Sequence, residues 1–235
     1  MKRLTLTEGN ARASLAGSKT ETRRKVRAKH GGTLSMDPIV VQMKGGRRIP
    51  VSASRVLIER WHIDDARGFS EVRPPYAVGE TVALTLPYWR KEDGSAWIWD
   101  EVTKRLRIHD TTDNARSGRI IQITDPPGIG YIRKAPEFMP VWAATHVATI
   151  QAVRVERLGE ISDADCAREG LYPCPLGWRY PGETAYVWPT PGDAYRAQWE
   201  SLHGEGSWNP DEWVWVIDFD DVRAASCADA NKDSC

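Results

Sequence analysis

The stretch Glu212-Trp213-Val214-Trp215-Val216-Ile217-Asp218-Phe219 constrains the fold more than any other part of the chain. Trp213, Trp215, Ile217 and Phe219 recur with a period of two, and Val214 and Val216 take the alternate positions. That period puts side chains on opposite faces of a strand; in a helix it would scatter them round the axis. The stretch predicts a strand from Glu212 to Phe219, with Trp213 and Trp215 in the core. Val147 to Leu158 predicts a second, with Val147, Thr149, Gln151, Val153 and Val155 on one face. After the turn Pro74 to Glu80, Thr81 to Leu86 predicts a strand buried on both faces. Leu4 to Leu6 is a short strand.

Between these strands lie short helices with legible ends. Thr7 caps a helix running to about Ala16, closed by Gly17. Ser162 and Asp165 have capping-box spacing ahead of a helix that stops at Gly170, with Ile161 and Cys166 as its hydrophobic staple. Asp193 to His203 places Tyr195, Trp199 and Leu202 at i, i+4 and i+7. Strands with a few separate helices make an α+β chain.

One domain over 1–223 is expected, with insertions at about 30–75, 88–132 and 171–192 and a disordered tail at 224–235. The first insertion carries a hairpin of Ile39 to Met43 with Arg48 to Val51, then a strand from Arg55 to Trp61. The second carries a hairpin that sets Trp97 and Trp99 against Leu106 and Ile108, and a loop from Asp125 to Gly130. The third is rich in Pro and Gly and reads as a loop, ordered or mobile.

Formal net charge is zero, yet residues 1–60 hold 14 Lys/Arg against 4 Asp/Glu, and residues 201–235 hold 2 against 8. A basic end of that kind could face phosphates, or the two ends could neutralise each other. None of the four cysteines shows C-x-x-C spacing, so no zinc site and no cofactor is expected. No run approaches 18 apolar residues and no signal peptide is evident; free thiols in a reducing cytoplasm, away from any membrane, are the expectation.

The chemistry centres on Gly17-Ser18-Lys19-Thr20-Glu21-Thr22-Arg23-Arg24, at the end of the first helix. If the chain turns there from helix to strand, Lys19 and Thr22 can bring a cation and a hydroxyl to one pocket. The run Arg23, Arg24, Lys25, Arg27 and Lys29 suits anionic or planar ligands, because the guanidinium fork matches phosphate and stacks on rings. The same run also reads as a solvated basic loop favoured by the helix dipole.

Several segments resemble the phage and prophage branch of the ASCH family, within the PUA-like superfamily. They are Gly17-x-Lys19-x-x-Thr22-x-Arg24; Tyr76 to Glu80 before a strand; Phe138-Met139-Pro140-Val141-Trp142-Ala143; Val153 to Ser162; Trp199 to Leu202 with Gly204; and Asn209-Pro210 with Trp213 to Ile217. Together they cover roughly half of the chain. The resemblance implies a small, mostly antiparallel β-barrel with short helices and β-hairpin insertions, holding RNA or a modified nucleoside in a cleft. Related enzymes remove an acyl group from an N4-acylated cytidine-type base. The resemblance places their Lys, Thr and Glu on Lys19, Thr22 and Glu169. Other members act as ribonucleases or as nucleic-acid binders, and a phage morphogenesis role is a further alternative. The expected location is the host cytoplasm.

Two positions depart from that pattern. Thr85 and Leu86 stand where an Arg-Glu pair is usual, and Thr145 and His146 where Ser-Arg is usual. Among nucleic-acid-binding candidates, Arg23, Arg24, Lys25 and Arg27 form the phosphate track. His146 lines the cleft or serves as a structural hydrogen-bonder. Trp142 stacks on a base or plugs the barrel.

Overall fold

A computed structural model describes residues 1–26, 61–65, 68–72, 74–92, 97–100, 102–108, 119–122, 130–226 and 229. In chain order the first half contains β1 (Arg3–Thr5), α1 (Glu8–Leu15), β2 (Glu21–Lys25), β3 (Trp61–Asp65), β4 (Gly68–Val72), β5 (Thr81–Thr85), β6 (Tyr88–Lys91), β7 (Trp97–Asp100), β8 (Arg105–Ile108) and β9 (Arg119–Gln122). Then come β10 (Tyr131–Lys134), β11 (His146–Arg157), α2 (Asp163–Arg168), β12 (Tyr172–Cys174), β13 (Gly177–Arg179), α3 (Pro191–His203) and β14 (Trp213–Ala224). The chain is α+β and mostly strand. Among the described residues no helix is long and apolar enough to cross a membrane. The hairpin expected at 39–51, the strand residues 55–60, most of the loop 125–130, and Arg27 and Lys29 lie outside the described residues.

The main sheet runs β1-β5-β11-β14-β2, antiparallel except for the β1–β5 pair. Its centre is the long ladder of β11 with β14. The alternation in β14 separates two cores. Trp215, Ile217 and Phe219 pack with Leu4, Leu84 and Ile150 on one face. Val214 and Val216 pack on the other with Leu158, Cys166, Tyr195 and Trp199, beneath α2 and α3. At about 25 cal/mol per Å² of apolar surface removed from water, a strand buried on both faces anchors both layers.

The five β11 residues expected on one face do not share it. The ladder shifts register between Val147 and Thr149 and again between Ile150 and Ala152. Ala148 and Ile150 meet the core before the second shift, and Val153 and Val155 after it; Gln151 is exposed. An extra residue in one strand swaps the faces of everything beyond it.

Among the described residues the sheet is open, with β1 and β2 as its edges, and no barrel closes. A side chain spans the seam between those edges: the Arg24 guanidinium donates to the Thr5 carbonyl.

Residues 88–132 supply a second antiparallel sheet, β10-β6-β7-β8-β9. Its β7–β8 hairpin pairs Trp97 with Ile108 and Trp99 with Leu106, the four residues around which the sequence predicts a hairpin. Tyr88, Ile98 and Val102 join the first core, and the Thr145 hydroxyl donates to Asp100 at 2.7 Å. Residues 171–192 are ordered around the β12–β13 pair and a Trp178–Trp188 bridge. Gly177 permits this: a Cβ there would lie 2.2 Å from the Trp188 carbonyl oxygen.

The N-caps of α1 and α2 are those the sequence predicts. Thr7 Oγ1 accepts from Asn10 N at 3.4 Å, and Ser162 and Asp165 form their reciprocal pair at 3.2 and 3.0 Å. α3 starts two residues earlier than expected because Thr190 caps it and Pro191 suits a first-turn position. Its Leu202 is 46 % exposed, since the face that α3 turns to the core is that of Ala194, Tyr195 and Trp199. At the C-terminal end, Asp229 accepts from Arg223 at 2.8 and 3.0 Å; the rest of 227–235 lies outside the described residues.

Candidate active site

The chain between α1 and β2 is pinned from both sides. Ser18 N and Lys19 N donate to the Ala13 carbonyl at 3.0 and 3.2 Å, Thr20 N donates to the Arg168 carbonyl at 2.8 Å, and Phe219 N donates to the Thr20 carbonyl at 2.9 Å. Lys19 is thereby fixed against the end of α2, where Gly170 (φ +93°) leaves space for it. Its side chain runs into the interior and is fully buried. Nζ donates to the Glu169 carbonyl at 2.9 Å and to the Glu169 carboxylate.

Glu169 caps α2 and is 3 % exposed. Its Oε1 accepts from the Tyr195 hydroxyl at 3.3 Å and lies 3.6 Å from Arg23 Nη1. Arg23 is the hub of a wider ionic lattice. Nη1 binds Glu21, and Nη2 lies 3.3 Å from Glu156 and 3.3 Å from Asp165. Glu21 is also paired with Arg154 at 2.9 Å and Arg168 at 3.0 Å.

These environments move the proton affinities. Burial lowers the Lys19 pKa, against the opposing pull of Glu169. Burial, reinforced by a hydrogen bond to the Asp218 carboxylate, pushes Glu21 up to about 7. Burial opposes the charge of Arg23, but Glu169, Tyr195 and Glu21 outweigh it and raise its pKa. Tyr195 is raised well above its ordinary value, first by burial and then by Glu169, so its hydroxyl stays a donor.

A cavity of about 200 Å³ opens over this cluster, in the seam between the sheet edges. Thr22, Arg23 and Arg24 of β2 form one wall; Thr5 and Leu6, at the end of β1, form another. Glu169 and Tyr195 close the floor, and Glu137, Leu202 and His203 line it at the outer end of α3. Lys19 lies behind Glu169 and is not itself a wall residue. Thr22 is 6 % exposed, and its hydroxyl makes no hydrogen bond to Lys19 or Glu169. Lys19 and Glu169 are thus in direct contact, and Thr22 faces the same space as Glu169.

The other predicted residues fall as follows. Arg23 is consumed by the buried lattice, and Arg24 lines the cavity while bridging to Thr5. Lys25 pairs with Glu212 at 3.0 Å and sits 5.4 Å from the Trp199 ring centroid. Trp142 is half-buried and packs against the first core. His146 sits at the far end of β11 with Nδ1 3.1 Å from the Thr145 hydroxyl. Neither Trp142 nor His146 lines the cavity. Nor do the departing positions: Thr85 Oγ1 is 3.4 Å from Thr5 Oγ1, and Leu86 is core.

Sequence reasoning passed over Asn10, Tyr195 and Gln198 as site residues. Tyr195 registered only as an apolar helix position. Gln198, three residues on, is a polar residue on the same buried face, and that placement was the available signal. Comparisons with known protein families, curated proteins and solved structures find no match for this chain.

Proposed function

We propose that the cavity holds a single modified nucleobase or nucleoside and that the Lys19–Glu169 pair and Thr22 hydrolyse an amide on it, as in the N4-acylcytidine deacylases of the ASCH family that the motifs resemble. One observation carries this reading. A fully buried Lys–Glu pair meets the wall of a cavity that also exposes a threonine hydroxyl. A buried ion pair contributes little net stability against an apolar replacement, and perturbed titrating groups at a cavity favour catalysis over scaffold.

The chemistry needs a base for water and an acid for the leaving amine. Water held by the Thr22 hydroxyl gives a proton to the Lys19–Glu169 pair as its oxygen attacks the acyl carbon. The C–N bond then breaks and the pair returns the proton to the exocyclic nitrogen, leaving a carboxylic acid and a free amine. Burial favours neutral, basic Lys19, and Arg23 with Tyr195 holds the carboxylate in position.

The size and charge of the site favour one nucleoside over an RNA tract. The volume lies below the roughly 300–1,000 Å³ typical of drug-sized pockets. Arg23 and Lys25 are committed to internal carboxylates, and Glu137 brings negative charge to the lining.

The test is turnover of N4-acetylcytidine to cytidine, followed by chromatography. Wild-type protein is expected to convert it, and Lys19→Met and Thr22→Val to lose at least about 100-fold, the usual scale of a lost acid–base group. Lys19→Met, like Lys19→Ala, strands the Glu169 charge and is expected to cost about 3–5 kcal/mol in urea unfolding, so the double variant of Lys19→Met with Glu169→Gln serves as the folded control. Binding without turnover would leave a recognition module; neither binding nor turnover would refute the reading.

A further inference from the structure

Two amide side chains in the cavity wall belong to none of the motifs above. Asn10 lies in the first turn of α1 and Gln198 in the middle of α3; they are 7 % and 4 % exposed. Gln198 Nε2 donates to Asn10 Oδ1 at 3.0 Å. A primary amide carries two N–H donors and one carbonyl acceptor. The mutual bond uses one donor of Gln198 and the carbonyl of Asn10. Among the described residues, Asn10 Nδ2 and Gln198 Oε1 have no hydrogen-bond partner. Turning both amides over swaps the roles and still leaves one donor and one acceptor side by side.

Neither atom is among the fully enclosed atoms that lack a partner, and both residues line the cavity, so a ligand entering it can meet them. The wall charges balance in number, Arg23 and Arg24 against Glu137 and Glu169, and Arg23 lies 3.6 Å from Glu169. The remaining free pattern is neutral. Resting on the reading of this cavity as a base site, we propose that Asn10 and Gln198 form its recognition edge and select a planar heterocycle that presents an N–H donor beside an acceptor. The N–H of the heterocycle donates to Gln198 Oε1, and its carbonyl or ring nitrogen accepts from Asn10 Nδ2. A buried site built to hydrogen-bond a group rejects the analogue without it far more strongly than an apolar pocket rejects a missing methylene.

The experiment titrates uracil and 1,3-dimethyluracil, which has no N–H, into wild-type protein, Asn10→Asp and Gln198→Met, by calorimetry or NMR. Asn10→Asp keeps an acceptor for Gln198, removes the free N–H donor and adds a negative charge; Gln198→Met keeps length and removes the free acceptor. Wild-type protein is expected to prefer uracil by about tenfold or more. Gln198→Met should lose that preference, and Asn10→Asp should bind both probes at least about tenfold more weakly, with thermal melts run alongside to show that both variants are folded at the assay temperature. Equal affinity for the two probes, no binding of either, or undiminished preference in Gln198→Met overturns the inference. The same proteins are assayed on N4-acetylcytidine. Equal hydrolysis by all three proteins would sink the recognition edge and leave the hydrolase reading standing. Discrimination between the uracils without hydrolysis would do the reverse.

Discussion

Glu21 lies directly across β2–β14 from Asp218, so two carboxyl groups share one buried spot. The lattice around them holds Glu21, Glu156, Asp165, Glu169 and Asp218 against Lys19, Arg23, Arg154 and Arg168, one acid more than its bases. Asp218 Oδ1 is buried without a hydrogen-bond partner among the described residues, and a proton on Glu21 supplies one. The folded pKa of about 7 exceeds the ordinary 4.5, so the folded state binds the proton more tightly. Its contribution to stability is complete below about pH 4.5 and is lost as pH rises to about 7. Asp165 acts in the opposite sense. Burial raises its pKa, but hydrogen bonds from Ser162 and the charges of Arg168 and Arg23 outweigh that and hold it at about 2, so its contribution fades as pH falls below 3.8. Urea unfolding from pH 4.5 to 7.5 should show stability falling with a slope of up to one proton, and Glu21→Gln should flatten it. An unchanged slope in that variant would place the proton elsewhere. None of this was legible in the residues, because Glu21 and Asp218 are 197 positions apart and only pairing makes them neighbours.

At the scale of elements, α2 works as a positioning device for its last residue. Ser162 starts it, Glu169 caps it, and Gly170 turns the chain away with φ +93°. A Cβ on Gly170 would sit 3.0 Å from Lys19 Cβ and 3.1 Å from Pro181 Cγ. Gly170→Ala therefore strains the backbone and presses on Lys19. A loss of about 1–3 kcal/mol in thermal or urea unfolding is expected, with a further fall in turnover that stability alone does not explain. The helix ends were readable because a cap is a contact between residues three apart. The bulges in β11 were not, since a bulge depends on which strand lies alongside. The same limit explains Leu202, whose helical spacing was right but whose side of α3 looks outward.

Across the whole molecule, the sheet edges β1 and β2 face one another over a seam that a side chain bridges, and the cavity occupies that seam. Of the basic run, Arg23 pairs with buried Glu21, Arg24 donates to the Thr5 carbonyl and Lys25 pairs with Glu212, which bears on how a ligand is attracted. Affinity for a nucleoside is expected to change by less than about twofold between 50 and 300 mM salt, because no phosphate displaces counterions. A steep log–log salt slope with single-stranded RNA would instead point to a phosphate track along the basic end. By itself the sequence determined the α+β class, the β14 alternation that splits the two cores, the β7–β8 hairpin and the N-caps of α1 and α2, because these depend on near neighbours and on the period of the backbone. It also marked Lys19, Thr22 and Glu169 through motif resemblance. Only the tertiary structure decided that Lys19 stands behind Glu169, that Arg23 is an internal counter-ion, that Trp142 and His146 lie away from the cavity, and that Asn10 meets Gln198. Burial, pairing and proton affinity are set mostly by partners more than 130 positions apart, and no local spacing encodes them.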